Sequence, residues 1–365
     1  MSIFSKVLDP MRERLPLDKF NLKSMVYNKK VPQHKMKWAY YLGGLALLFF
    51  TIQLITGLLL LFYYQPTTEE AYDSVKFITE QVPGGAVIRN LHAWTSSAMV
   101  LIVILHLLTT FAMKAFEKPR EITWVTGVIL LFITFGFSFT GYLLPWHQLS
   151  VNATKVALEF IGVVGQYLPG EYSKIPHQIV ELIQGGATVG QETLSRFFAI
   201  HVVILPLCIF AFLGMHLLVV QLHGMSKGVD KEVTVHEKFF PDFLIKDFSL
   251  WAIVFFILFV LAITIPIDSF FPYPLMEPYN PLGSTPEGIK PEWYFFFIYY
   301  PMEILPFWII LVASIVLVII LFLVPKIFAG TSRKTLAFLA ILAFIYFVIM
   351  TVFGESIVTL VKGGH

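Results

Sequence analysis

Four histidines lie in long uncharged stretches of the sequence, in two pairs with nearly equal separations. His92 and His106 are 14 residues apart in one stretch, and His201 and His216 are 15 residues apart in another. On straight α-helices these gaps correspond to about 21 and 22 Å, with the first pair on almost one face and the second offset by about 60°. Two such helices side by side predict two levels of facing imidazoles, His92 with His201 and His106 with His216.

Facing imidazoles within apolar helices indicate metal binding. A single histidine there is explained as well by a hydrogen bond to a neighbouring carbonyl, but ionisable side chains are costly in a membrane, and four at matched spacings favour function. The one cysteine excludes a cysteine-based zinc site and a cysteine-ligated iron–sulfur cluster. Two axial imidazoles are typical of a haem iron that carries electrons, so the pattern predicts two non-covalent b-type haems.

Glycines repeat the histidine spacing on the two flanking stretches. Gly43 and Gly57 are 14 residues apart, as are Gly127 and Gly141. A glycine lets the backbone approach the flat face of a haem without a side-chain clash, although small residues also serve ordinary helix packing. The repeated gap predicts one glycine from each flanking helix beside each haem.

Basic residues near the ends of the histidine stretches are candidates for binding the haem carboxylates. Arg89 and Arg196 stand three and five residues before a histidine at one end, and Arg120 stands near the other end. We also place Trp124 among the haem-binding residues. Lys114 nearby is better explained by snorkelling to lipid phosphate.

The composition indicates which elements must position these residues. The 365-residue chain is 57% hydrophobic and 14% charged, against about 25% charged in soluble proteins, which excludes a water-soluble globular enzyme. Seven uncharged stretches are long enough to cross about 30 Å of hydrocarbon as helices. We expect an all-α polytopic membrane protein with a cytoplasmic surface segment at 1–37, a four-helix dihaem bundle at 38–223 and three further helices at 224–365. The predicted spans are Trp38–Tyr63, Asn90–Met113, Ile122–Leu144, Phe197–Leu222, Phe248–Ile267, Ile304–Pro325 and Thr335–Gly354.

The distribution of charges orients these spans. The side with the N-terminus carries 19 Lys and Arg against 10 Asp and Glu, and the other side carries 7 against 14. The positive-inside rule then places the N-terminus in the cytoplasm and the C-terminus, at His365, outside. Surface lysines such as Lys29 are expected to meet anionic lipid headgroups. Two long loops on the outer face, Pro145–Arg196 and Asp268–Pro301, are expected to form lids, the first with amphipathic stretches at 156–167 and 175–183.

Seven short motifs along the chain contain most of the candidate residues. They are TGLLL at Thr56–Leu60, IRNLHAW at Ile88–Trp94, KPREITWVTG at Lys118–Gly127, TGYLLPW at Thr140–Trp146, GQETLSRFFAIH at Gly190–His201, FPDFLIKD at Phe240–Asp247 and PEWYF at Pro291–Phe295. Together they resemble the cytochrome b subunit of quinol–cytochrome c (bc1) and plastoquinol (b6f) oxidoreductases over nearly the whole chain. The length is similar to that of a b6 protein fused to its subunit IV. Where the b6 type attaches a further haem through a cysteine, this chain has Tyr41, so we do not expect that haem.

The resemblance implies a function and a set of partners. Quinol would be oxidised at the outer (P) face, with one electron leaving to a Rieske iron–sulfur protein. The other electron would pass through the two haems to a quinone at the inner (N) face, which contributes to proton translocation. A c-type cytochrome subunit, membrane lipid and a homodimeric complex in the cell inner membrane are also implied. A nucleic-acid partner is not expected.

The PEWYF motif supplies the candidate chemistry at the outer face. Glu292 is the candidate proton acceptor for quinol, because the surrounding aromatic residues would raise its pKa by desolvation. Tyr294 is the second catalytic candidate, and Tyr142, Pro291 and Trp293 are expected to line the quinone pocket. The alternatives are that Glu292 caps the next helix and that Tyr142 only packs.

The inner face has its own candidates for quinone chemistry. Lys246 and Asp247 are expected to supply protons to the quinone that is reduced there. An Asp just before an apolar span is also a common helix cap, and that alternative stays open.

Two other classes of function are compatible with parts of the pattern. A dihaem membrane anchor of a dehydrogenase or hydrogenase would also have paired histidines, but it would need neither long outer loops nor a buried acid. A haem-free transporter would need no matched histidine pairs. Paired b-type absorption bands would separate the haem proteins from the transporter.

Overall fold

The structure is a computed structural model that describes residues 13–17, 20–21, 27, 29–227, 235–266, 277–283 and 289–363. Within these residues, seven helical segments are long and apolar enough to cross a membrane, which confirms the predicted number and the all-α class. Most of the predicted surface segment, much of the second outer loop and His365 lie outside the described residues. The seven segments are Lys37–Leu61, Gly85–Ala112, Glu121–Leu143, Gln191–His223, Phe239–Thr264, Phe307–Ile327 and Arg333–Lys362.

The described helices are numbered here in chain order. They are α1 (Tyr40–Leu61), α2 (Ala71–Glu80), α3 (Gly85–Ala112), α4 (Glu121–Leu143), α5 (Gln148–Val163), α6 (Ile175–Gln184), α7 (Gln191–Ala199), α8 (Leu205–His223), α9 (Leu244–Thr264), α10 (Phe296–Ile304), α11 (Phe307–Ile327) and α12 (Arg333–Lys362). Two short strands, β1 (Lys30–Pro32) and β2 (His236–Lys238), pair antiparallel. They tie the segment before α1 to the segment before α9.

The fourth span contains a π-helical turn at Ile200–Ile204, between α7 and α8. A π turn closes hydrogen bonds one residue further along than an α turn, so it takes in one extra residue. The turn begins beside His201 and lies within the 15-residue gap to His216. The 60° offset between His201 and His216 that a straight helix would produce therefore does not apply. With one residue taken up by the π turn, the 15-residue gap is equivalent to the 14-residue gap on α3.

The last span runs further than the sequence predicted. The last helix, α12, extends to Lys362, and at about 1.5 Å per residue its 30 residues reach about 45 Å, beyond the hydrocarbon layer. Its protruding end is held by ion pairs, Glu355 with Lys290 at 2.7 Å and Lys362 with Glu303 at 2.6 Å. Charged residues therefore continue a helix whose apolar pattern has already ended.

The core lies between two helix pairs, α1 with α3 and α4 with α8. Buried apolar side chains from all four helices fill it, including Phe49, Met99, Ile133 and Ile209. Helix α9 contributes Leu258 to the same core and packs on α3. The fifth span is therefore packed as part of the bundle, although the sequence placed it with the three-helix region.

The outer end of the bundle is covered by the loop between α4 and α7. Helix α5 overlaps the first part of the predicted stretch 156–167, whose last four residues form a 3-10 turn, and α6 matches the predicted stretch 175–183. The second outer loop closes onto it, because His147 pairs with Pro278 as a β-bridge and the Gln148 N–H donates to the Glu277 carbonyl at 2.9 Å. The described parts of the two outer loops thus form one cover.

Candidate functional site

The outer level of imidazoles joins the two helix pairs. His92 on α3 lies close enough to His201 for their charged forms to interact electrostatically. A Cβ added to Gly57 on α1 would lie 3.4 Å from Cε1 of His92, and one added to Gly141 on α4 would lie 2.6 Å from Cε1 of His201. The absence of a side chain at each glycine therefore makes room for an imidazole ring. The sequence predicted the glycines beside the haem face, and the structure places them directly against the histidines.

The inner level repeats this arrangement. His106 on α3 interacts electrostatically with His216 on α8. A Cβ on Gly43 would lie 3.2 Å from Cε1 of His106, and one on Gly127 would lie 3.3 Å from Cε1 of His216. Each predicted histidine thus meets its predicted partner and one predicted glycine.

Threonine hydroxyls set the tautomer of three of the four imidazoles. The Oγ1–Nδ1 distances are 2.8 Å for Thr56 with His92, 3.0 Å for Thr140 with His201 and 3.0 Å for Thr126 with His216. Each hydroxyl also donates its own hydrogen to the carbonyl four residues earlier on its helix. The oxygen must then accept from Nδ1–H, so the Nε2 lone pair of each ring is left for a metal.

The sequence contained a signal for these threonines that the spacing argument missed. Three of the four glycines directly follow a threonine, as Thr56–Gly57, Thr126–Gly127 and Thr140–Gly141. The fourth follows Leu42, and Nδ1 of His106 is correspondingly buried with no hydrogen-bond partner among the described residues. Each threonine places its hydroxyl on the imidazole that its glycine neighbour accommodates.

These residues fit a bis-imidazole haem better than a zinc site. Three of the four imidazoles leave Nε2 available, and one glycine lies beside each of the four rings. No group of three or more His, Cys, Asp or Glu that could hold a metal ion occurs in the described part of the chain. A closed zinc shell of about four ligands therefore has no donors here.

The predicted carboxylate partners and Trp124 occupy different positions. Arg89 lies close enough to His147 for its charge to act on that ring. The Arg196 guanidinium instead donates a hydrogen bond to the Leu182 carbonyl. Arg120 lies at the inner end, with Nη2 3.3 Å from the His223 carbonyl. The indole N–H of Trp124 donates to the Leu321 carbonyl on α11 at 2.7 Å, within an aromatic cluster with Phe111 and Phe116. The structure thus attaches Trp124 to the sixth span.

Glu292 and Tyr294 lie together at the outer end. Glu292 precedes a 3-10 turn, Trp293–Phe295, and desolvation by burial raises the pKa of its carboxyl group to about 7. Tyr294 is 3% exposed and bonds to Ser138 on α4. Burial raises the pKa of Tyr294 well above its usual value, and the nearby Glu292 and Tyr142 raise it further. The structure therefore brings Glu292, Tyr294 and Tyr142 into one electrostatic cluster.

Trp293 and Pro291, the other outer-pocket candidates of the motif, flank this cluster, which aromatic contacts hold in place. Trp293 packs edge-on against Phe347 of α12, with ring centroids 6.0 Å apart. Phe135 of α4 stacks on Tyr294 at 6.4 Å. Pro291 is half-buried at the start of the motif. These contacts with α4 and α12 hold the turn after Glu292 between the four-helix bundle and the last span.

At the inner end, Asp247 and Lys246 point to different surroundings. Asp247 is 7% exposed and lies over the backbone of α1, since a Cβ on Gly44 would sit 2.5 Å from its Oδ1. Lys246 is exposed and pairs with Glu237. Asp247 is the buried member of the predicted pair, and Lys246 is the exposed one.

Lys29 does not have the lipid-facing position that the sequence suggested. Its Nζ donates to Oε1 of Gln221 at 2.6 Å and lies 4.5 Å from the ring centroid of Phe239. Burial lowers the pKa of Lys29 to about 8. The expectation of a headgroup contact was wrong for this lysine, because β1 carries the segment back onto the inner end of the bundle.

Comparisons with known proteins agree with this architecture. A family profile described as Cytochrome b/b6/petB matches residues 26–224. Over 272 residues the chain is 44% identical to a cytochrome bc complex cytochrome b subunit of Chlorobaculum thiosulfatiphilum, covering 73% of this chain and 60% of that one. Over 222 residues it is 42% identical to cytochrome b6 of Synechococcus elongatus, covering 61% of this chain and 98% of that one.

The fold is also similar to a solved structure. A chain described as Hyperthermophilic respiratory Complex III matches with a TM-score of 0.76 and 28% identity, covering 98% of this chain and 100% of that chain. The family match includes all four histidines of both levels. The chain therefore belongs to the cytochrome b/b6 family, whose members named above are subunits of bc- and b6f-type membrane complexes.

Proposed function

We propose that this chain oxidises quinol at the outer face of the membrane and reduces quinone at the inner face, as the catalytic subunit of a quinol:cytochrome c type oxidoreductase. The observation that carries the proposal is the pair of imidazole levels, His92 with His201 and His106 with His216, which would hold two non-covalent b-type haems. When bound, the haems would carry electrons between the two faces. The names of the relatives, from bc complexes and Complex III, support this assignment.

Glu292 performs the proton chemistry at the outer face. With a pKa of about 7, its carboxyl group is about half ionised near neutral pH, so it can accept a proton from a quinol hydroxyl and pass it on. Tyr294 and Tyr142 border the quinol, and Pro291 and Trp293 shape the pocket. The joined outer loops keep bulk water from the reacting oxygen. Electrons leaving on this side would go to a Rieske iron–sulfur protein and then a c-type cytochrome subunit.

Asp247 performs the corresponding task at the inner face. Its buried carboxyl group beside Gly44 can donate a proton to a quinone that is being reduced there. Lys246, exposed and paired with Glu237, connects this site to the aqueous side. Proton uptake inside and release outside would together contribute to proton translocation.

The charge asymmetry of the loops supports one orientation in the cell inner membrane. The more basic side, which carries the N-terminus and Asp247, is cytoplasmic, and Glu292 lies on the outer side. A homodimeric complex in membrane lipid is part of the proposal. A dihaem anchor would leave the buried Glu292 and the two joined outer loops without a role.

The variant Glu292→Gln in the assembled complex tests the outer-face chemistry. We expect quinol oxidation to fall by about 10²-fold, because general-base catalysis is lost. In the wild type the rate should rise with pH through about 7, as Glu292 loses its proton, and in the variant this rise should disappear. Pre-steady-state haem reduction by quinol between pH 5.5 and 8.5 measures both.

The matched control is Asp247→Asn, which changes the buried acid at the other face. It should slow quinone reduction inside and leave the first turnover of quinol oxidation intact. Equal effects of both variants on that first turnover would contradict the assignment of Glu292 to quinol oxidation and Asp247 to quinone reduction. A purified complex without paired b-type bands in its reduced-minus-oxidised spectrum would contradict the proposal as a whole.

A further inference from the structure

His147 is a buried histidine in the outer cover that the function described above does not use. It is 1% exposed and caps the N-terminus of α5. The backbone N–H of Ser150 donates to Nδ1 of His147 at 3.0 Å, and the His147 N–H donates to Oγ of Ser150 at 3.2 Å. The imidazole therefore takes the place of the usual hydroxyl or carboxylate in a capping box.

The capping contact determines which ring nitrogen carries the proton. Since Nδ1 accepts from a backbone N–H, the neutral ring must carry its hydrogen on Nε2. Burial lowers the pKa of His147 to about 3, and the nearby Arg89 guanidinium contributes. The ring is thus neutral at physiological pH, and Nε2–H is a donor. This is the opposite tautomer from that of the three imidazoles bonded to threonines.

The Nε2–H group of His147 has no hydrogen-bond partner among the described residues, although it is buried. A buried donor without an acceptor is costly, and such a group in a native protein calls for an explanation. An occupant with an oxygen acceptor would satisfy it. The imidazole has little room to turn elsewhere, because its backbone is bridged to Pro278 and its Nδ1 is held by the cap.

The surroundings of His147 connect it to the outer quinone pocket. Its ring meets Tyr142 edge-on at 6.0 Å between centroids. Tyr142 in turn belongs to the electrostatic cluster with Tyr294 and Glu292. His147 therefore contacts Tyr142, which belongs to the same cluster as the candidate proton acceptor.

We propose that Nε2–H of His147 donates a hydrogen bond to an oxygen of the quinone in the outer pocket. The inference rests on the proposed function, since it needs a quinone at this site. A quinone has two oxygens on opposite sides of its ring, so one donor and one proton acceptor at separate positions fix its orientation. His147 binds and orients the quinone but takes no proton from it. A haem carboxylate near Arg89 is an alternative oxygen acceptor, and the experiment separates the two.

The variant His147→Asn in the full complex is the test. Asparagine is a good N-cap and its Oδ1 can accept from Ser150 N–H, so the helix start is kept while the Nε2–H donor is removed. The matched control, Ser150→Ala, loses the reciprocal hydroxyl but retains the imidazole donor. Binding of short-tailed benzoquinone and naphthoquinone, KM and kcat for the quinols and the haem midpoint potentials are measured for both variants.

We expect His147→Asn to raise the quinone Kd and the quinol KM by roughly tenfold, with kcat and both midpoint potentials unchanged and Ser150→Ala close to wild type. In wild-type protein the infrared carbonyl band of bound ¹³C-carbonyl quinone should be shifted down, and the shift should be lost in His147→Asn. A changed outer midpoint potential with unchanged quinone binding would assign the donor to a haem carboxylate and overturn the inference. An unshifted carbonyl band in wild type would also overturn it, even if the variant failed to fold.

Failure of this inference differs from failure of the proposed function. Normal wild-type quinol oxidation with no effect of His147→Asn on quinone binding removes only the role of His147. A wild-type complex that neither binds quinone nor oxidises quinol removes the proposed function and this inference with it.

Discussion

The outer and inner imidazole levels are built from the same four helices but differ in how their rings are held. At the outer level, Thr56 and Thr140 bond the Nδ1 atoms of both histidines. At the inner level, Thr126 bonds His216, while the Nδ1 of His106 has no partner within the described chain. Donation from Nδ1–H makes an imidazole a stronger ligand, so the outer level should favour oxidised iron more than the inner level. Residues next to the ligands can therefore set a gradient for electron flow between the two levels.

Removal of one histidine from either level should have the largest effect. We expect His201→Ala to abolish one of two b-type absorption bands and His216→Ala to abolish the other, because each level has only two donors. Reduced-minus-oxidised spectra of the purified complex measure the bands. Loss of both bands together in each variant would show that the levels do not form independently and would break the comparison.

A one-residue deletion in the π turn should have a smaller effect than the same deletion on α3. Deleting Val203, which is exposed, lets the π turn become an α turn and leaves a 14-residue gap between the ligands, so both bands should remain. Deleting the exposed Leu101 from α3, which has no π turn, should displace one of its two histidines by about 100° around the helix and remove a band. Equal losses in the two deletions would contradict the role assigned to the turn.

Added methyl groups on the outer glycines should distinguish the two helix pairs. Gly141→Ala should lose most of the outer band, because its Cβ would lie 2.6 Å from the ring of His201 and force it to move. Gly57→Ala is the control, since its Cβ would reach His92 only at 3.4 Å, an ordinary contact. Haem content per protein and the melting temperature report both effects. Similar haem loss in both variants would mean that ring crowding does not decide the outcome.

The smallest expected effect is a shift of potential at the inner level. Leu42→Thr would place a hydroxyl before Gly43, as in the other three pairs, and should lower the inner midpoint potential by about 20–60 mV, the equivalent of one hydrogen bond. Thr56→Val should raise the outer midpoint by a similar amount. Redox titration with optical detection resolves such shifts. A shift of the opposite sign in either variant would refute the explanation for the gradient.

Much of the architecture could be predicted from the sequence. The seven spans, the pairing of the histidines and the glycine beside each ring all follow from helical periodicity, which links local sequence to a face of a helix. The boundaries were less predictable, because α12 continues past its apolar stretch on ion pairs with residues more than 50 positions away. The position of Lys29 was mispredicted, since it depends on the pairing of β1 with β2.

Other contacts in the site could not be predicted from the spacing of residues in the sequence. Trp124 lies in a motif with candidate haem-binding residues, yet its indole N–H donates to a carbonyl on α11. His147 is a single histidine in a loop, outside the two matched pairs. Its significance depends on a cap contact, a buried Nε2 and a tyrosine on another element. The threonines were visible as a repeated dipeptide, but only their contacts explain it.

Local sequence was enough to predict seven helices that are long and apolar enough to cross a membrane, with two matched pairs of imidazoles, because apolar length and helical period are properties of contiguous residues. Contacts in the folded protein determine which nitrogen is available in three of the four rings, how a π turn makes a 15-residue gap match a 14-residue gap, and where the buried acids lie. Those outcomes depend on hydrogen bonds and close contacts between residues remote in the chain, which no local pattern encodes.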